Sequence, residues 1–231
     1  MNRVPLDNVD HYDLTVAIHA GAEWGDRANL LPVMPTEFEE AQREFPIVFR
    51  RVDGGILAFV LLGFDAGENL FLDDHGWTTR YVPAIQRRGP FALVVEDGVE
   101  TIHVDMDDTR IGAPDGVPVF LDHGGEAPYL TQATTALRVL HDGAQTARAI
   151  HADLEAAGLL RAVTLRIDLG DAGGYEIADV LAVDQAALAA LSGPVLERLH
   201  ANGLLRAATM AAASLGNVDR LIELKTRALA R

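Results

Sequence analysis

Apolar and polar residues alternate in several short runs near the start of the chain. Leu14, Val16 and Ile18 alternate with Thr15, Ala17 and His19, the pattern of a half-buried strand. Pro35 to Phe45 then changes period. Phe38, Ala41 and Phe45 fall on one helical face, Thr36 with Glu39 reads as a capping box, and Pro46 ends the helix. Residues 47–52 and 56–64 predict two strands joined across Asp53-Gly54-Gly55, the second apolar on both faces and interior to its sheet. A second hairpin is predicted from 91–96 and 100–105 across Asp97-Gly98. Residues 106–128 are rich in Asp, Gly and Pro and read as loop, with a short strand at Val119 to Leu121.

Helical signals resume near Leu130. Ile150, Leu154 and Ala157 share a face and Gly158 is a stop. Val163, Leu165, Ile167 and Leu169 then alternate with polar residues, and 170–174 turns the chain into a strand over 175–183. Asp184 caps a helix, Pro194 starts another that Gly203 ends, and the final helical segment breaks near Gly216-Asn217. The order predicts an α+β fold: an antiparallel or mixed β-sheet built from hairpins, with helices concentrated in the C-terminal third. The hairpin over 163–183 either joins the first sheet or forms its own. One domain over 1–231 is expected, with a loose internal boundary within 106–128.

Composition narrows the function. Hydrophobic residues make up 49% of 231, enough for a sizeable core. The net charge of -15 leaves no basic face to meet phosphates, which argues against nucleic-acid and anionic-membrane partners. The chain has no Cys, so it has no disulfide framework and fits a reducing compartment. The longest apolar run, Ile56 to Phe64, falls far short of the roughly 20 residues of a membrane helix. No apolar leader opens the sequence, and a soluble cytoplasmic protein is expected.

The densest chemistry lies in GENLFLDDHGWTTRYVPAIQRRGPFAL, residues 67–93. Leu70, Phe71, Tyr81, Val82 and Phe91 read as core. Glu68, Asn69, Trp77, Arg80, Tyr81, Arg87 and Arg88 form a candidate binding set, because Trp, Tyr and Arg dominate binding hot spots. Its exposed rim is expected at Glu68, Trp77 and one of the two adjacent Arg.

The same block carries a resemblance. Glu37-Phe38-Glu39, Phe45-Pro46-Ile47-Val48-Phe49, Gly67-Glu68-Asn69-Leu70-Phe71, Gly76-Trp77, Tyr81-Val82-Pro83-Ala84, Arg87-Arg88 and Pro90-Phe91 resemble the bacterial SapC family. So do Asp105, Leu121-Asp122 with Gly124, Val183-Asp184 and Ser214-Leu215-Gly216-Asn217. The family pattern commonly has an aromatic where this chain has Gly89, and a His shortly before Ser214 where this chain has Ala211 to Ala213. The resemblance implies an accessory role. It implies as partner a flavin-dependent halogenase-like or oxygenase-like protein, and its name suggests a cell-surface-layer component as an alternative.

An enzymatic alternative rests on His103-Val104-Asp105 with His151. Two His and a carboxylate form the facial triad of non-haem iron, 2-oxoglutarate-type enzymes, and Arg161 would hold the co-substrate carboxylate. Yet His-x-Asp recurs at His11 and His151, and His151 lies in a helical pattern. Asp73-Asp74-His75 and Asp105, Asp107 and Asp108 lack the spacing of a calcium loop and read as turn carboxylates. Ser214 lacks a nucleophile elbow and reads as a helix cap or kink. The reading therefore leans away from an enzyme and calls for no catalytic residue, cofactor or metal. Oligomerisation stays open.

Overall fold

Both Asp-Gly turns form as their chemistry demands. Asp53 and Gly54 take φ of +49° and +75°, and Asp97 and Gly98 take +50° and +78°, the left-handed pairing that matches strand twist in a two-residue hairpin. The computed structural model describes residues 2–18, 20–21, 24–170 and 173–230. The predicted partner of Ile18 in the alternation, His19, lies outside them.

The strands are β1 Arg3–Pro5, β2 Thr15–Val16, β3 Leu30–Pro32, β4 Ile47–Val52, β5 Gly55–Leu61, β6 Leu72–Asp73, β7 Gly76–Trp77, β8 Phe91–Glu96, β9 Val99–Asp105, β10 Val117–Pro118, β11 Leu160–Asp168 and β12 Gly174–Val183. The α-helices are α1 Phe38–Ala41, α2 Ala84–Arg87, α3 Pro128–Ala156, α4 Gln185–Ala189, α5 Gly193–Ala201, α6 Leu204–Ser214 and α7 Val218–Leu229. Short 3-10 turns at Pro35–Glu37 and Leu215–Asn217 lead into α1 and α7. Every strand pairing is antiparallel, and the fold class is α+β as predicted. No helix among the described residues is long and apolar enough to cross a membrane.

The chain divides into two compact units, whose membership alternates along the sequence. The first holds 1–26, 72–77 and 84–142, and the second holds 27–71, 78–83 and 143–231. The loop 106–128 lies inside the first unit, so no division falls there. Block 67–91 changes unit three times, after Phe71, Trp77 and Pro83.

The first unit carries the sheet β1-β9-β8, the pair β10-β2 and the hairpin β6-β7. Its core gathers Leu14, Val16, Phe91, Val104, Val119, Leu130, Ala133 and Leu137. Strand β2 is shorter than predicted. Ala17 is buried and Ile18 is 57% exposed, because Ala17 N–H bonds the Arg110 carbonyl and the alternation ends there. The strand predicted at Val119 to Leu121 forms at Val117–Pro118 instead, paired with β2.

The second unit is built on the sheet β11-β12-β4-β5-β3. The later hairpin joins the first one, through Leu181 opposite Phe49, and β5 lies interior as expected. Phe38, Phe45, Phe49, Ile47, Leu61, Leu62, Phe71, Leu154, Leu159 and Leu199 are among its large buried side chains. The turn before α1 differs from the predicted capping box. Glu37, not Glu39, reaches back, its Oε2 accepting Met34 N–H at 2.8 Å, while Glu39 is half-buried and pairs with Arg43 and Arg206. Asp184 caps α4 as predicted, accepting the Ala186 and Ala187 N–H groups. Helix α3 runs unbroken through Gly143. A Cβ at Gly143 would stand 2.4 Å from Met34 Cβ, so glycine permits a close approach there rather than ending the helix.

Candidate functional site

The candidate residues in the second unit are mostly bound into the fold. Glu68 Oε2 accepts Phe64 N–H at 3.0 Å, and its Oε1 accepts Lys225 Nζ at 2.6 Å. Asn69 is buried and closes a local turn, its Oδ1 accepting Phe71 N–H at 3.0 Å. Tyr81 donates its hydroxyl to the buried Glu37 Oε1 at 2.5 Å. Arg80 differs. Its backbone N–H reaches Glu44 Oε1 at 3.4 Å, but the residue is exposed and its guanidinium makes no bond among the described residues. Thr79 braces the same turn by donating to the Tyr81 carbonyl at 2.7 Å.

In the first unit, Trp77 is half-buried and donates its indole N–H to Asp26 Oδ1 at 2.9 Å. Arg87 closes the short helix α2. Arg88 follows it, half-buried, with Nη1 on the Phe91 carbonyl at 2.7 Å. Burial first, then the positive charges of Arg3 and Arg110, lower its pKa, and Asp108 opposes them. Arg110 is gripped by Asp108, with Nε and Nη2 donating at 2.8 and 2.6 Å. Of the expected rim, then, Glu68 and Trp77 hold the fold together and Arg88 keeps donors free, as does Arg80, which lies outside that rim.

The iron set is placed as follows. His103 and Asp105 lie on β9 of the first unit. His103 Nε2 lies 3.2 Å from Thr101 Oγ1, and Asp105 Oδ1 accepts Asn2 N–H at 3.0 Å. His151 belongs to the second unit, 1% exposed, with Nδ1 2.8 Å from the Ile56 carbonyl. Arg161 lies 3.6 Å from Asp184, the cap of α4. Among the described residues no group of three or more His, Cys, Asp or Glu is arranged to hold a metal ion. Asp73 and Asp105 accept N–H groups two residues on, as turn carboxylates do.

Three features escaped the sequence reading. Lys225, the single lysine, is 5% exposed and joins Asp65 at 2.7 Å and Glu68 at 2.6 Å, beneath the Tyr175 ring. Burial pulls its pKa down, but the hydrogen bonds to both carboxylates outweigh that and raise it. A cleft of about 550 Å³ opens on the second unit's sheet, lined by Arg50, Val52, Phe59, Thr164 and Val180 among others. Beside it β12 bulges. Ala178 and Asp179 stand against Thr164 alone, and Asp179 takes φ +58°. The third feature is the polar pair Ser214 and Asn217. Ser214 Oγ accepts Ile47 N–H at 2.8 Å, and Asn217 Nδ2 donates to the Gln42 and Phe45 carbonyls. Only long-range proximity signals these contacts, so a one-dimensional pattern holds no trace of them.

Comparison with known proteins agrees with the resemblance drawn above. The SapC family model matches residues 6–221. No curated protein and no solved structure matches the chain.

Proposed function

Because the chain belongs to the SapC family, we propose that it is a non-catalytic accessory protein that docks a partner through the outward side of residues 67–91. The partner we favour is a protein, flavin-dependent halogenase-like or oxygenase-like, and a peptide or small ligand would use the same side. The proposed setting is the cytoplasm, which the absence of Cys suits.

One observation carries this reading. Arg80 is an exposed guanidinium without a partner among the described residues, yet its mount is held on both sides by Glu44 and by the Tyr81–Glu37 bond. The braced backbone leaves only the side chain to be ordered on binding, and Arg is a favoured hot-spot residue.

The test is direct association of the purified chain with a flavin-dependent halogenase-like and an oxygenase-like protein from the same genome. Arg80→Glu is expected to weaken the complex by about 2 kcal/mol, roughly thirtyfold in Kd. Arg166→Glu, whose side chain is 81% exposed on β11, is the charge-matched control and should bind as the wild type does. Equal affinity for Arg80→Glu and wild type, or no association with either protein, would defeat the proposal.

A further inference from the structure

We propose that Arg88, together with Tyr129 and Arg110, forms an oxyanion-binding site in the first unit that takes the carboxylate or phosphate group of a small ligand. This site belongs to the first unit, and Arg80 of the partner surface belongs to the second.

Arg88 forms no ion pair with a carboxylate among the described residues, and Asp108, the carboxylate that acts on it, is held by Arg110. Arg88 is half-buried, and among the described residues its side chain makes one hydrogen bond, Nη1 to the Phe91 carbonyl at 2.7 Å. That bond fixes the guanidinium plane. It leaves Nε and Nη2 without partners among the described residues, and those two parallel donors are the edge that meets a carboxylate or phosphate bidentately.

Tyr129 supplies a third donor. Its ring lies against Phe91 with centroids 6.1 Å apart, and its hydroxyl makes no hydrogen bond among the described residues. The hydroxyl fills the space beside Gly89: a Cβ there would stand 2.2 Å from it. Gly89, at φ +58°, therefore turns the chain tightly and lets Tyr129 reach the residue next to Arg88. The aromatic side chain common at this position in the family pattern would not fit. Burial raises the Tyr129 pKa, although Arg110 pulls against it, so the phenol stays protonated and able to donate.

The charges near Arg88 are unbalanced in the sense an anion would correct. Arg3 and Arg110 both act on Arg88, and the carboxylate that opposes them is Asp108, already gripped by Arg110. Asp26, which acts on Arg110, receives the Trp77 indole N–H and the Gly21 N–H at 2.9 Å each. One bound oxyanion would offset the excess charge and satisfy the idle donors of Arg88 and Tyr129. The net charge of -15 argues against a nucleic acid as its source.

The experiment is calorimetric titration of the full chain with inorganic phosphate and, separately, with succinate, at low ionic strength against a sodium chloride control. Saturable binding with Kd on the order of 1 mM is expected for at least one anion. Binding of phosphate alone or of succinate alone supports the site and names its chemistry. Arg88→Gln is expected to weaken binding about tenfold or more, and Tyr129→Phe about threefold. Arg80→Glu should leave it unchanged, which separates this site from the partner surface. Tyr129→Phe removes no hydrogen bond among the described residues, so it keeps the test decisive if Arg88→Gln fails to fold. Absence of saturable binding beyond chloride, or the same Kd in wild type, Arg88→Gln and Tyr129→Phe, would overturn the proposal.

Discussion

Ser214 shows how one side chain serves two elements. Its Oγ donates to the Ala211 carbonyl at 2.6 Å and accepts Ile47 N–H at 2.8 Å, with the residue fully buried. Ser214→Ala leaves that N–H without an acceptor and away from water. A loss of about 1–3 kcal/mol in urea unfolding is expected. The sequence reading of a cap or kink was half of the answer: the helix breaks there, but the hydroxyl serves the start of β4. His151 is a different case. Its Nδ1–H donates to the Ile56 carbonyl, its ring stands edge-on to Phe49 at 5.4 Å, and its Nε2 is buried without a partner among the described residues. Burial therefore lowers its pKa from 6.5, although the Ile56 carbonyl opposes the shift. As pH falls below 6.5 the unfolded chain takes up a proton that the folded chain refuses. The stability present above 6.5 is then lost as pH falls towards the lowered folded value. Urea midpoints measured from pH 7.5 down to 5.5 should fall more steeply for wild type than for His151→Gln.

At the scale of elements, local chemistry and long-range chemistry divide the work. Each hairpin follows from its own turn. The tie between α7 and the loop after β5 does not, since it rests on Lys225 meeting Asp65 and Glu68 across more than 150 residues of sequence. Lys225→Met would leave Glu68 partly buried without its cation. Asp65 is half-exposed, which limits the loss, so about 2–3 kcal/mol is expected from urea denaturation. The Asp65 carboxyl is held below its usual 3.8, chiefly by the Lys225 hydrogen bond against burial. That part of the tie is present above 3.8 and is lost as pH falls through the lowered value. Strand β11 shows the limit of periodicity in another way. Its alternation was legible, but Val163 and Leu165 are only half-buried, because β11 is the edge strand and its register shifts at Thr164.

For the whole molecule, block 67–91 is the instructive case. Its density of Trp, Tyr and Arg marked it as special, and the structure resolves that density into separate roles. Asn69, Tyr81 and Glu68 brace the second unit, and Trp77 braces the first. Arg80 and Arg88 keep free donors, each in a different unit. A linear reading saw one cluster because the residues are near in sequence. The chain path divides them by entering and leaving each unit within a few residues. The sequence by itself determined the α+β class, the two Asp-Gly hairpins, the Asp184 cap and the helix stops at Gly158 and Gly203, because turn chemistry and periodicity act over a few residues, whereas Pro46 follows a helix that already ends at Ala41. Only the tertiary structure decided which polar side chains are consumed by the fold and which keep donors free among the described residues. That choice depends on partners brought together from distant positions, such as Lys225 with Glu68 and Tyr129 with Gly89, and no local pattern encodes such meetings.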